Sequence, residues 1–304
     1  MAIHSALRGI EPEVTLVLDE RSLPKPADSP LEYDPEQEVA RLKFENQVAY
    51  SQMHRMALDV RALRQELAQL KQVQSDADAA YYDVLFRFSR MASFRECGSL
   101  ASIWRIGVFS ALLAHALGES DDFCDCLQLA APLHDVGEIA LPDSLLRSTP
   151  LSASEREQMM VHCDFGYVLF SHSASRELKM AAEIALGHHE RFDGQGYPGG
   201  LAGEAIPRAA AIVALVGDFE RMTQASPDQA GCSIEQITEE MQRASGTCYE
   251  PLLVDAFLMY VGKFQRLRAE IDESRIRAEP ADSWLRKAPE RASWRRFLSF
   301  EDRR

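Results

Sequence analysis

No stretch of this sequence stays apolar for the roughly 18 residues that a membrane-spanning helix needs, so the chain is expected to stay out of the bilayer. No CxxC pair occurs among its six cysteines (Cys97, Cys124, Cys126, Cys163, Cys232 and Cys248). That absence excludes a thiolate zinc site and a secreted disulfide scaffold, and it fits the reduced, buried thiols of a cytoplasmic protein. The opening MAIHSALRGIEPE lacks the basic and apolar regions of a signal peptide. Basic charge is scarce: 33 Lys and Arg stand against 47 Asp and Glu, for a net charge of −14. A chain of that sign neither coats nucleic acid nor adheres to an anionic membrane, and an anionic small molecule would need a local cation or a metal to hold it. Period-two alternation is missing as well, which leaves no candidate strand.

What the sequence does have is helical spacing. Residues 1–34 mix Pro24, Pro26 and Pro30 with scattered acids and no periodicity, and are expected to be a disordered leader. From Pro35, the residues Val39, Leu42, Asn46, Ala49, Met53, Met56, Val60, Leu63, Leu67 and Leu70 recur at alternating steps of three and four. That is a coiled-coil seam, expected over residues 35–75, with Asn46 at an a position favouring a parallel homodimer. Ser75 to Asp78 reads as a joint that ends it. Residues 79–266 then read as one all-α bundle of helices and short loops, with a capping box at Ser152–Glu155 and another helix start at Ser233. Residues 267–304 read as a helix and a tail without assignable chemistry.

The metal-capable residues of the helical region are few and ordered. His134 and Asp135 are adjacent at one helix end, His162 lies inside the next helix, and His188 and His189 are adjacent at the end of a third. Asp218 interrupts the apolar run AIVALVGDF. Imidazoles and carboxylates at helix ends suit a metal site between facing helices, for Fe or Mn ahead of Zn and not for calcium. Adjacent residues on a helix point about 100° apart, so a doublet can address two neighbouring ions or bracket a bridging carboxylate.

LHDVGEIALPD (133–143) together with HHERFDGQGYPGGLAGEAIP (188–207) resembles the HD-GYP family, helical metal-dependent phosphodiesterases that open cyclic di-GMP in bacterial signalling. AIVALVGDFERMT and YEPLLVDAF match that family's distal helix and closing segment. The resemblance spans roughly residues 80–262. It implies a cyclic dinucleotide substrate opened to the linear dinucleotide or GMP, and two divalent ions held by His134, Asp135, His162, His188, His189 and Asp218. His134 and Asp135 would be catalytic. Tyr197, Gly196, Pro198, Arg191 and Arg147 become candidates for substrate contact. Gly194, Gly196 and Gly199 would allow positive φ in a loop that Tyr197–Pro198 stiffens.

The departures matter as much. In SLASIWRIG, Ser102 stands where the family carries a histidine ligand, Gly98 where some members carry an acid, and Glu138 where HDxGK carries a lysine. Ala211 replaces an arginine, and QASPDQAGC an Arg-Pro-Tyr segment. A carboxylate ~5 Å from a phosphate at an effective dielectric of ~20 costs about 3 kcal/mol, where an ammonium would contribute a similar attraction. That swing is on the order of 10⁴ in rate if both act at the transition state. A phosphodiesterase, a slow or inactive domain serving as a signalling and protein-interaction module, and a phosphohydrolase of another nucleotide are therefore three readings to separate.

Overall fold

The computed structural model describes residues 34–93, 100–146, 150–224, 231–271 and 294–298. The expected leader (apart from Asp34), Arg147, Gly98 and most of the expected tail lie outside them. The described residues are helical, and they contain no strand. Helix α1 runs Pro35–Ser93, α2 Leu100–Ala116 and α3 Asp121–Ala130. Two 3-10 turns at 131–133 and 136–140 and the short α4 (Asp143–Leu146) lead to α5, Ala153–Phe170. Then come α6 Arg176–Gly187, α7 Arg208–Thr223, α8 Ile234–Ala244, α9 Pro251–Glu270 and a 3-10 turn at Trp294–Phe297. No described helix is long and apolar enough to cross a membrane.

The chain divides into two units, Met1–Gln69 and Leu70–Arg304. In the first, the described residues are helical, and the apolar side chains of the sequence seam are exposed. The expected joint at 75–78 is not a break: the helix continues through it, with Gln72 Nε2 donating to Asp76 Oδ1 at 2.9 Å. Polar, small residues there satisfy one another one helical turn apart, so composition alone was a poor guide to an end.

In the second unit α2 is the central element, packed on α3, α7 and α9, while α6 rests on α3, α5 and α7. Phe109, Phe219, Phe257 and Phe264 are fully buried together, with Phe109 and Phe264 stacked at 4.8 Å. Rings of this size supply the largest single burial contributions, and deleting one costs about 3–5 kcal/mol. A buried ion pair crosses the same core: Arg105 binds both oxygens of Glu220 at 2.9 Å and donates to the carbonyl of Ile271. Helix starts follow the sequence expectation. Ser152 and Glu155 form the full capping box, as do Ser233 and Gln236, and Ser120 and Ser175 cap α3 and α6. The tail holds one surprise. Trp294 is fully buried, its indole N–H donating to Asp125 at 2.9 Å and its ring 4.8 Å from His115.

Candidate metal centre

His134 and Asp135 sit between the two 3-10 turns and not at the end of a long helix, because α3 already stops at Ala130. The turn that follows is pressed against α5. A Cβ on Gly137 would stand 1.9 Å from the carbonyl oxygen of His162, so only glycine lets these backbones approach. That contact brings Asp135 to His162: Oδ1 lies 3.5 Å from His162 Nε2 and 3.0 Å from His188 Nε2, while Oδ2 lies 2.7 Å from His134 Nε2. His188 is the C-cap of α6, and His189 follows it out of the helix. Asp135, His162, His188 and His189 each offer a ligand atom within 4.8 Å of the others.

The ring orientations argue for a cation. Nδ1 of His134 faces the Ala131 carbonyl at 3.0 Å, Nδ1 of His162 that of Met159 at 2.6 Å, and Nδ1 of His188 those of Ile184 and Ala185. A carbonyl only accepts, so each Nδ1 carries the proton and each neutral ring turns its Nε2 lone pair inward. His162 Nε2 and His188 Nε2 then stand 3.4 Å apart. Two lone pairs at that distance repel unless a proton or a metal ion lies between them. Backbone-anchored Nδ1–H groups are the usual support of metal-binding histidines. The donor set therefore fits a divalent ion of the Fe, Mn or Zn type.

Without a metal the cluster has to share protons. Burial disfavours charge on His162, yet hydrogen bonding to Asp135 and Cys163 overrides it and lifts the imidazole to about 11. Burial opposes charge on His134 too, but Asp135 wins and raises it. Burial and the neighbouring imidazoles push His189 down to about 2 and lower His188, against the pull of Asp135. Asp135 itself is buried, but His134 and His188 hold its carboxyl well below the usual range.

These residues line a cavity of about 370 Å³, with Ser102, Glu138, Tyr197, Asp218, Arg221 and Glu220 among the other walls. Tyr197 is stacked on His189 at 4.6 Å, and burial pushes its phenol up, keeping the hydroxyl protonated. The expected site residues therefore divide. His134, Asp135, His162, His188 and His189 converge. Asp218 lines the cavity but stands outside the four-donor group: Arg221 and the Tyr249 hydroxyl, each 2.5 Å away, hold its carboxylate. The preceding residue, Gly217, is the position whose Cβ would face His134 Nε2, at 4.0 Å. One step along α7 turns the side chain about 100°.

Two other expectations need correction. Arg191 is not a cavity wall; its guanidinium grips both oxygens of Asp193 and donates to Cys248 Sγ at 2.9 Å. Gly196 and Pro198 do not line the cavity either. Of the three loop glycines only Gly194 has positive φ, at 75°. Gly196 is glycine for proximity, since a Cβ there would lie 2.4 Å from the Arg191 nitrogen and 2.6 Å from the His189 carbonyl oxygen. The loop's anchor went unnoticed in the sequence. Buried Glu190 accepts the N–H groups of Gly199 at 2.7 Å and Leu201 at 2.9 Å. Arg221 and Tyr249 were missed as well, although the i, i+3 spacing of Asp218 and Arg221 was readable.

A helical bundle with a clustered His-Asp centre of this kind is an architecture that could hold a metal ion. The chain belongs to the HD domain family, whose profile matches residues 82–253, inside the expected 79–266 span. It is 39% identical over 177 residues to a cyclic di-GMP phosphodiesterase response regulator of Xanthomonas campestris, covering 58% of this chain and 47% of that one. It is 35% identical over 204 residues to a cyclic di-GMP phosphodiesterase of Thermotoga maritima, covering 66% and 55% respectively. A 3'3'-cGAMP-specific phosphodiesterase of Vibrio cholerae is 35% identical over 183 residues, 60% of this chain and 35% of that protein. The chain thus spans about half the length of the first two relatives and a third of the last. The HD-GYP resemblance of the motifs agrees with all three.

Proposed function

We propose that this protein is a metal-dependent phosphodiesterase of cyclic dinucleotides, with cyclic di-GMP as its substrate. One observation carries the proposal: buried imidazoles aim their Nε2 atoms at Asp135 within a cavity walled by Tyr197. So costly a cluster of polar groups has no use in a core without an ion. Asp135, His162, His188 and His189 would hold the ion, and the Nε2 lone pair of His134, 2.7 Å from the other oxygen of Asp135, would face a proton or cation between them. Bound there, a divalent ion supplies Lewis-acid stabilisation of a phosphate and a lowered pKa for water. Tyr197 offers a protonated phenol and a flat ring at the cavity wall, suited to a base or sugar edge. Arg221, exposed at the edge, is the cation placed to meet a phosphate, and Asp218 orients it.

Donor count favours one tightly held ion over two. A second position beside His134 would have that ring's Nε2 and the remaining oxygen of Asp135, and the α7 glycine that faces His134, Gly217, supplies no ligand. Metal analysis of the purified chain, then hydrolysis of cyclic di-GMP and cyclic GMP-AMP side by side with added Mn²⁺ or Fe²⁺ under anaerobic conditions, tests the proposal. Bound metal with turnover of cyclic di-GMP supports it; preference for cyclic GMP-AMP changes the substrate; a metal-free, inactive chain refutes it. The second reading, a domain that binds metal but turns over slowly and serves as a signalling module, draws on Glu138, a buried carboxylate in the cavity wall where a phosphate must sit.

A further inference from the structure

Helix α1 presents a stripe that the candidate metal centre does not use. Val39, Leu42, Met53, Met56, Val60, Leu63, Leu67 and Leu70 are each between 47% and 66% exposed on α1. All occupy a or d positions of one seven-residue frame, with Asn46 and Ala49 filling the remaining two. Phe44, Val48, Tyr50 and Leu58 are exposed too, but they fall at f, c, e and f positions and form no stripe. A continuous apolar stripe of this length, about 48 Å at 1.5 Å per residue, is an interaction surface and not ordinary scatter.

The flanking charges say what covers it. Counted in that frame, the g positions carry Glu45, Gln52, Asp59 and Glu66, and the e positions carry Lys43, Tyr50, Ala57, Arg64 and Lys71. Acids stand on one flank and bases on the other. When two copies lie parallel and in register, each g residue faces the e residue five positions on in the other copy. That sets Asp59 of one copy beside Arg64 of the other, and Glu66 beside Lys71. Antiparallel copies would set g against g and e against e, acid on acid and base on base. In the parallel arrangement each Asn46 also meets its own mate, where the two amides can hydrogen-bond; a shifted register would bury one amide against Met or Val. Counted onward, the frame reaches Gln74 and Ala77, so the seam ends at Leu70.

We infer that residues 39–70 of α1 form a parallel, in-register, two-stranded coiled coil with a second copy of this chain. This is independent of what the cavity hydrolyses. The full-length chain is tested by sedimentation equilibrium and by mild oxidation of the Leu67→Cys variant. The expected results are a dimer mass and a disulfide between the two copies, because the same residue meets itself only when the helices run parallel and in register. In antiparallel copies paired along the stripe, the two introduced thiols would be tens of ångströms apart. A paired reversal, Asp59→Lys with Glu66→Lys, should weaken dimerisation about tenfold or more, and adding Arg64→Glu with Lys71→Glu should restore it. Circular dichroism on each variant separates lost helix from lost pairing. A monomer, a higher oligomer, or a dimer that fails to crosslink at position 67 overturns the inference.

Discussion

Replacing Gly217 by Asp should add a ligand to the metal centre. Gly217 is the glycine of α7, and a Cβ on it would look toward His134, with Nε2 of that ring 4.0 Å away. A Cβ there meets only ordinary van der Waals contact, and an aspartate should not weaken the helix, since Gly is the poorer helix former. A carboxylate ~4 Å from a unit positive charge at an effective dielectric of ~20 is worth about 4 kcal/mol, roughly a thousandfold in affinity. For a divalent ion that is a lower bound before desolvation is subtracted. The variant should therefore raise bound metal from one ion per chain toward two, read by elemental analysis after dialysis against micromolar Mn²⁺. Turnover of cyclic di-GMP should rise with it. The contrasting change, Asp218→Asn, should leave metal content where it was, because Arg221 and Tyr249 already hold that carboxylate. If Gly217→Asp stays at one ion while Asp218→Asn loses it, the placement of these two residues on α7 is wrong and the one-ion reasoning fails.

Glu190→Gln keeps the volume but turns an amide N–H₂ toward a backbone N–H. It forfeits at least one of two hydrogen bonds to a charged acceptor, each about 1.5–3 kcal/mol, and should lower the midpoint of thermal unfolding by several degrees. Arg105→Ala leaves Glu220 buried beside a lost partner and should cost about 3–5 kcal/mol in denaturant unfolding, whereas a joint Arg105→Met, Glu220→Leu variant should recover most of it. Glu177 is partly buried, but bonds from the Ser175 and Tyr81 hydroxyls hold its carboxyl below the ordinary value. A depressed folded value means stability present above the unfolded value of ~4.3 and lost as pH falls through the folded one. The destabilisation by Tyr81→Phe should thus shrink on acidification below about pH 4. Glu138→Lys should raise turnover, by up to the order of 10⁴ where the side chain meets phosphate at the transition state, without an equal change in metal content.

The fold class, the helix starts and most of the site were legible because they depend on local chemistry. Ser152 and Ser233 announce their helices through side-chain oxygens within one turn, and the HD and HH doublets mark the candidate metal centre by composition. What stayed hidden depends on helix phase and distant partners. That Asp218 faces Arg221 and Tyr249 while Gly217 faces His134 is decided by a rotation of α7 that the apolar run AIVALVGDF leaves loose, since nearly every face of that helix is buried. Gly196 looked like a hinge because glycine permits positive φ, but its reason is the backbone of residues 189–191 lying against it. Trp294 was invisible as a core residue because its pocket is supplied by α2 and α3, some 170 residues earlier. These same rotations set the charge the substrate meets. Asp218 is paired with Arg221 and Glu220 with Arg105, so two of the cavity's carboxylates already have a guanidinium beside them. Under the proposed function, binding of a dinucleotide's two phosphates would come from direct ligation to the ion, from Arg221 and from stacking, and not from long-range attraction by a chain of net charge −14. By the family resemblance Ser102 and Glu138 act in the same direction: each stands where that pattern carries a group that favours an anion or the cation that would attract it.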